Sequence, residues 1–262
     1  MATPHDEHFW NSLGNYDEEI ISIFKDAEAA RPLVEAITRH IGPETVVADL
    51  GTGTGNLLPY LKAAKKVYAV DKSENMLAQA RAANSQPNVE FVCVDIRELE
   101  LPAPVDLIVA LNALWPTSLS DYSKLLAGIH RNLAARGSLV IMAMSFEAML
   151  YYTNLHLAWR IESLGESEPD AYRFLTKRHA ETMNNMFGYV QVKPKLLQKF
   201  WVREELSERL ESHGFSVTEI AKHVLPWADY FPQEPDWIRQ QSNPWMWLVH
   251  ARKHGASAPA KC

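Results

Sequence analysis

The sequence predicts an α/β fold built on a doubly wound, mostly parallel sheet, and three observations predict it. From Thr45 onward the short apolar runs TVVADL, KVYAV, VEFVCVD, VDLIVAL and SLVIMAM alternate with stretches of helical period. Such runs read as strands buried on both faces, as parallel sheets require. Between the last two runs, Leu119, Tyr122, Leu125, Leu126, Ile129 and Leu133 keep an i, i+3, i+4, i+7 stripe, so a strand, a helix and a second strand follow one another in a right-handed crossover. Finally, 262 residues that are 47% hydrophobic and 22% charged have the usage of a globular chain with a real core. At roughly 150 residues per domain this length fits one large domain or one domain carrying an insertion.

The elements can be justified in order. Ile20, Ile21, Phe24 and Ala27 stand at helical spacing, Pro32 interrupts them, and Leu33, Val34 and Ile37 resume the period, so residues 1–40 read as an N-terminal helical lid broken at Pro32. Residues 41–145 hold the alternating core, in which Gly137 marks the end of the helix that begins near Leu119. The stretch 146–199 is rich in aromatic side chains and reads as a mainly helical cap insertion, with Lys193, Lys195 and Lys199 on a solvated face. Residues 200–254 return to the sheet: Val202, Leu206 and Leu210 mark a helix ending at His213 and Gly214, followed by the strands FSVTEIAKHV and WMWLVHARK. The Pro- and Trp-rich connection between those strands reads as a surface loop. Residues 255–262 have the composition of a flexible tail.

Composition also excludes. The longest apolar runs, such as Leu139 to Met144, fall far short of the roughly 18 residues that span a membrane. The start MATPHDEHFW lacks a basic n-region and an apolar h-region, so the expectation is a cytoplasmic protein with no membrane partner. Two cysteines, Cys93 and Cys262, make neither a disulfide framework nor a thiolate metal site. A net charge of −6 argues against a nucleic-acid partner, whose phosphates attract dense Lys and Arg.

The chemistry concentrates in VVADLGTGTGNLLPYL, residues 46–61. A buried strand runs into Gly51, Gly53 and Gly55, and Leu57, Leu58 and Leu61 then open a helix. Alternate glycines permit a tight turn and the close approach of a ligand, while a helix start offers free N–H groups. About twenty residues on, KVYAVD ends in Asp71, where a carboxylate can accept from both hydroxyls of a ribose. Asn56 stands where a G-x-G-x-x-G dinucleotide fingerprint needs its third glycine, and Asp49 precedes the first, so NAD is the weaker ligand. The third strand ends in Asp95, a second carboxylate on the same sheet edge, suited to an adenine amine.

These residues resemble the class I S-adenosylmethionine-dependent methyltransferases. DLGTGTGNL is similar to the family's glycine-rich first motif, VDKSENML to its second, CVDIREL to its third and DLIVALNALW to its fourth-strand motif. The resemblance implies a Rossmann-like seven-stranded sheet with an antiparallel last strand. It also implies S-adenosyl-L-methionine as cofactor and S-adenosyl-L-homocysteine as product, held by Asp49, Gly51, Thr52, Gly53, Gly55, Asp71, Lys72, Met76, Asp95, Ile96, Leu111 and Asn112. In that reading Asp71 takes the ribose diol, Met76 packs on the adenine, Asp95 takes its amine and the Ile96 N–H a ring nitrogen, with Leu111 and Asn112 near the methionine part. HFWNSLGNYDEEI resembles a Tyr-Asp segment that closes over the cofactor, which makes Tyr16 the lid residue.

The family's substrate markers are then tested one by one. Asn112-Ala113-Leu114-Trp115 is not the Asn/Asp-Pro-Pro-aromatic tetrad of amino-methylating enzymes, and no Pro-Cys pair or two-Glu loop is present. Asn112 and Glu147 alone are too few for a magnesium site. The remaining class is a small-molecule acceptor methylated at O, N or S, with Trp115 as pocket wall and Tyr152 and His156 facing the acceptor from one helix. No catalytic base is assigned. Other readings are an RNA or protein methyltransferase, and a non-catalytic regulatory module that senses the cofactor.

Overall fold

The structure, a computed structural model, describes residues 23–24, 26–116, 118–184, 188–193, 196–227 and 236–254. After helix α1 (Ala27–Thr38) the core alternates strand and helix: β1 (Val46–Leu50), β2 (Lys66–Asp71), α2 (Glu74–Ala83), β3 (Val89–Cys93), β4 (Val105–Leu111), α3 (Leu119–Asn132) and β5 (Leu133–Met144). Helices α4 (Phe146–Glu162) and α5 (Glu168–Thr182) follow. Three short strands come next, β6 (Met183–Asn184), β7 (Tyr189–Lys193) and β8 (Leu196–Lys199). Helix α6 (Arg203–Ser212) then leads to β9 (Phe215–Val224) and β10 (Trp245–Lys253).

Seven strands form one sheet in the order β3-β2-β1-β4-β5-β10-β9. The first five pair in parallel, and β10 runs antiparallel to both β5 and β9. Strand order reverses between β1 and β4, where an open α/β sheet leaves a crevice at the carboxyl ends of its strands. Alternate residues of each strand face opposite sides. Ala48 and Leu50 of β1 join a layer with Tyr122, Leu125, Leu126 and Ile129 of α3 and Leu206 and Leu210 of α6, while Val47 joins Leu33 and Ile37 of α1 and Leu58 and Leu61 on the other face. Tyr122 and Trp201 are fully buried with ring centroids 4.4 Å apart, an aromatic pair worth about 1 kcal/mol beyond its buried area. No helix among the described residues is long and apolar enough to cross a membrane.

Helix starts follow their caps. Asp26 Oδ1 accepts from the N–H groups of Glu28 and Ala29 at 2.8 and 3.2 Å, and Ser73, Ser118 and Ser145 cap α2, α3 and α4 in the same way.

Several expectations are corrected. Pro32 lies inside α1 and does not break it: a proline there forfeits one bond, to the Glu28 carbonyl, and burial of Leu33 and Ile37 outweighs it. LLPYL forms only a four-residue 3₁₀ turn, Leu58–Leu61, because Pro59 and the early start of β2 leave no room for a full helix. Helix α3 ends at Asn132, ahead of Gly137. Lys253 Nζ donates to the carbonyls of His130 and Leu133 at 2.6 and 2.7 Å, and the chain enters β5 directly, with Arg136 in the left-handed region.

The insertion is helical only through α5 and then forms the antiparallel sheet β6-β7-β8. The signal was the alternation in YVQVK, and a side chain at Gly188, where φ is +71°, would collide with the Phe200 carbonyl. Lys199 does not lie on a solvated face: it is 4% exposed and pairs with Glu205 at 2.9 Å, against Trp201. The connection after β9 is not simply a surface loop, since Trp227 and Ile238 are buried against Tyr152.

Candidate functional site

Strands β1, β2, β3 and β4 deliver four loops to one edge of the sheet, and a cleft of about 710 Å³ opens among them. Gly51, Gly53, Asp71, Lys72, Met76, Asp95, Ile96, Leu111, Asn112 and Trp115 line it. A second trough adjoins it across Gly51, Gly53 and Leu111, and is bordered by Asp49, Thr52, Thr54 and Phe24.

The loop after β1 folds back onto β2 through its own backbone. The N–H groups of Gly51 and Thr52 donate to the Val70 carbonyl at 2.8 and 3.0 Å. The Gly53 N–H donates to Asp71 Oδ2 at 2.9 Å, and the Ser73 N–H to Oδ1 at the same distance. Asp71 is thereby fixed at the cleft wall with lone pairs to spare on both oxygens. Burial pushes its pKa up against the opposing pull of those hydrogen bonds.

Two glycines have separable reasons. At Gly51, φ is +69° and a side chain would collide with Ala113 of the loop after β4, so this position lets two loops touch. At Gly53, φ is +55° and nothing lies within 4 Å of where a Cβ would stand: the space above it is the cleft itself.

Asp49 is 3% exposed and accepts from Thr52 Oγ1 at 2.6 Å. Burial, with the Asp71 carboxylate nearby, lifts its pKa to about 7. Thr54 Oγ1, beside it in the trough, is buried without a hydrogen-bond partner.

At the far end, Asp95 caps the 3₁₀ turn Ile96–Glu98. Arg97 grips it, Nη1 donating to Oδ1 and Oδ2 at 3.0 and 2.8 Å. The other fork of Arg97, Nε and Nη2, holds Asp121 of α3 at 2.6 and 2.8 Å. Sequence reading missed Arg97 and Asp121; the arginine stood inside CVDIREL, but nothing in a spacing of 24 residues announced its partner.

Asn112 takes a φ of +50°, tolerable for Asn. Its carbonyl accepts from Trp115 Nε1 and its side-chain oxygen from Gln198 Nε2, so Trp115 is turned onto the cleft wall.

The structure therefore brings together Asp49, Gly51, Thr52, Gly53, Asp71, Lys72, Met76, Asp95, Ile96, Leu111, Asn112 and Trp115. Gly55 does not face the cleft but packs on Ala80 and Asn84. Tyr152 and His156 lie elsewhere, in an aromatic cluster with Trp159, Trp227 and Phe174. Tyr16 falls outside the described residues.

The donor set fits the expected cofactor on three counts: open space over Gly53, paired carboxylates at the ends of consecutive strands, and an orphaned hydroxyl at Thr54. Asp71 and Asp95 would hold the adenosine, with Met76 against its ring, and Asp49 and its neighbours would hold the amino-acid end.

Comparison with known proteins agrees with this geometry. Residues 47–137 match the family model described as a methyltransferase domain. Trans-aconitate 2-methyltransferase of Klebsiella pneumoniae is 38% identical over 122 residues, 44% of this chain and 46% of the relative. The enzyme of that name from Escherichia fergusonii is 36% identical over 121 residues with the same coverage. The match thus spans less than half the length of these curated relatives. Among solved structures, an S-adenosylmethionine dependent methyltransferase from Mesorhizobium loti is similar with a TM-score of 0.58 at 20% identity, over 86% of this chain and 98% of that one. The Burkholderia thailandensis 1,6-didemethyltoxoflavin-N1-methyltransferase, with S-adenosylhomocysteine bound, gives 0.58 at 19% identity over 97% and 92%. At such identities the likeness is one of fold: the seven-stranded sheet with one reversed strand.

Proposed function

We propose that this chain, whose residues 47–137 form a class I S-adenosylmethionine-dependent methyltransferase domain, transfers a methyl group from S-adenosylmethionine to an O, N or S atom of a small molecule. The observation that carries the reading is Asp71, fixed by the Gly53 and Ser73 N–H groups beside the open space over Gly53. The cofactor, when bound, supplies a methyl group on a sulfonium, already a good electrophile. The chain's own work is then to place the acceptor in line and to exclude water.

Trp115, Leu111 and Asn112 form the wall on which an acceptor would rest. Ile23 and Phe24 border the trough beside it. Small-molecule transfer is favoured over RNA methylation by the net charge of −6. The curated relatives are named for trans-aconitate, a small molecule, which supports the same class. The test is transfer of label from methyl-labelled S-adenosylmethionine in a whole-cell extract that is then separated into low-mass, RNA and protein fractions. Label in a low-mass product supports the reading; label found only in RNA or protein, or none despite cofactor binding, overturns it in favour of the macromolecular or the regulatory alternative.

A further inference from the structure

A second groove lies at the opposite edge of the main sheet, where β5 begins and β10 ends. It is an open groove and not a closed cavity. Its walls come from three directions: Arg39 and His40 just past α1, Ser138 of β5, and Thr218, His250 and Arg252 of β9 and β10. A β-bulge shapes it. The pairing of β9 with β10 shifts between His250 and Ala251, which leaves Thr218 as the extra residue, and Thr218 Oγ1 donates to the His250 carbonyl at 3.1 Å. Bulges of this kind re-aim side chains at an edge.

The charges are uneven. Arg39 shares its guanidinium with Glu219 at 3.2 Å, while Arg252 is exposed and makes no ion pair among the described residues. The rings of His40 and His250 lie 5.7 Å apart. His250 is only 4% exposed, and its Nδ1 is buried with no hydrogen-bond partner. Buried polar atoms are almost always satisfied, so an orphan beneath a groove lined by two arginines asks for a ligand.

We propose that this groove binds a small oxyanion such as sulfate or phosphate, with Arg252 and Arg39 supplying the charge, Thr218 and Ser138 hydroxyl donors, and the two imidazoles a floor that gains protons as the anion enters. The groups facing the histidines fit this. Arg39 and His40 stand against His250 with Glu219 as the one counter-charge, and Arg39 and Arg252 stand against His40. Burial and these cations hold both imidazoles below their ordinary pKa, His250 at about 4. A neighbouring anion reverses the second cause and raises both. The groove opens on the amino edge of the sheet and shares no residue with the cofactor cleft, so a ligand here would be a separate effector or anchor and not the acceptor.

The experiment is a titration of the full chain with sodium sulfate, whose charge is constant from pH 5 to 8, followed by the ring C–H resonances of His40 and His250, with sodium chloride at matched ionic strength as control. Saturable shifts in sulfate alone, tighter at pH 5.5 than at pH 8, and weakened at least tenfold in Arg252→Ala and abolished in Arg252→Glu, are expected. Linear shifts equal to those in chloride, or an unchanged affinity in both variants, would overturn the proposal. Binding of S-adenosylhomocysteine to the same variants reports that they are folded. Its failure in the unaltered chain would count against the cofactor reading alone.

Discussion

The Gly53 N–H donates to Asp71 Oδ2 at 2.9 Å, and this one bond ties the glycine loop after β1 to the carboxylate at the end of β2. Asp71→Ala removes that acceptor and the proposed ribose contacts together. A hydrogen bond to a charged group contributes about 1.5–3 kcal/mol, so affinity for S-adenosylhomocysteine should fall roughly ten- to a hundredfold by calorimetry. Unchanged binding would remove Asp71 from the cofactor site.

Gly51→Ala should act mainly on stability and Gly53→Ala mainly on cofactor binding. Gly51→Ala meets Ala113 in a left-handed backbone and should cost about 2–4 kcal/mol of stability, strain and overpacking combined. Gly53→Ala has open space and should cost only about 1–2 kcal/mol, for its backbone conformation, yet its methyl enters the cleft and should weaken cofactor binding. Denaturant midpoints together with binding constants separate the two effects.

Asp49 links stability to pH. Its pKa rises on folding from an ordinary 3.8 to about 7, first through burial. The folded state therefore holds a proton that the unfolded state has released, so this contribution, about 4 kcal/mol from the linkage relation, is present below about pH 4 and is lost as pH climbs through 7. Asp49→Asn should flatten the fall in unfolding free energy between pH 4 and 8. A profile identical to the unaltered chain's would show that Asp49 titrates normally.

Arg97 holds Asp95 with one fork and Asp121 with the other, and all three are largely shielded from solvent. Arg97→Gln leaves two carboxylates without their cation and should destabilise the chain by about 1–3 kcal/mol. It should also weaken cofactor binding, because Asp95 loses its fixed orientation. A variant with full stability would show that the bridge is merely a surface pair.

His156→Ala distinguishes a structural from an acceptor role. Buried among Tyr152, Trp159 and Phe174, the ring should leave a cavity costing about 2–4 kcal/mol while S-adenosylhomocysteine binding stays intact. A stable variant with impaired methyl transfer would instead return His156 to the acceptor site.

The parts legible in the sequence share a cause. Strands of a parallel sheet are buried on both faces, so β1, β2 and β4 stand out as continuous apolar runs, and each carries its edge residue, Asp49, Asp71 and Asn112 in turn, in a place that the run itself marks. Contacts between distant segments leave no such trace. Arg97 finds Asp121 only because α3 packs beside the 3₁₀ turn, and Lys253 ends α3 from more than a hundred residues away. Trp227, followed by a proline-rich stretch, gives no local sign that it will be buried on Tyr152. His250 reads as one more residue in WMWLVHARK until a bulge in the strand pairing sets it under a groove.

The most direct test of the central claim is a calorimetric titration of the unaltered chain with S-adenosylhomocysteine, with NAD as control. Saturable binding at one site per chain, in the micromolar range and without response to NAD, is the predicted result. Absence of binding to S-adenosylhomocysteine, with saturable binding of NAD in the same cleft, would contradict it.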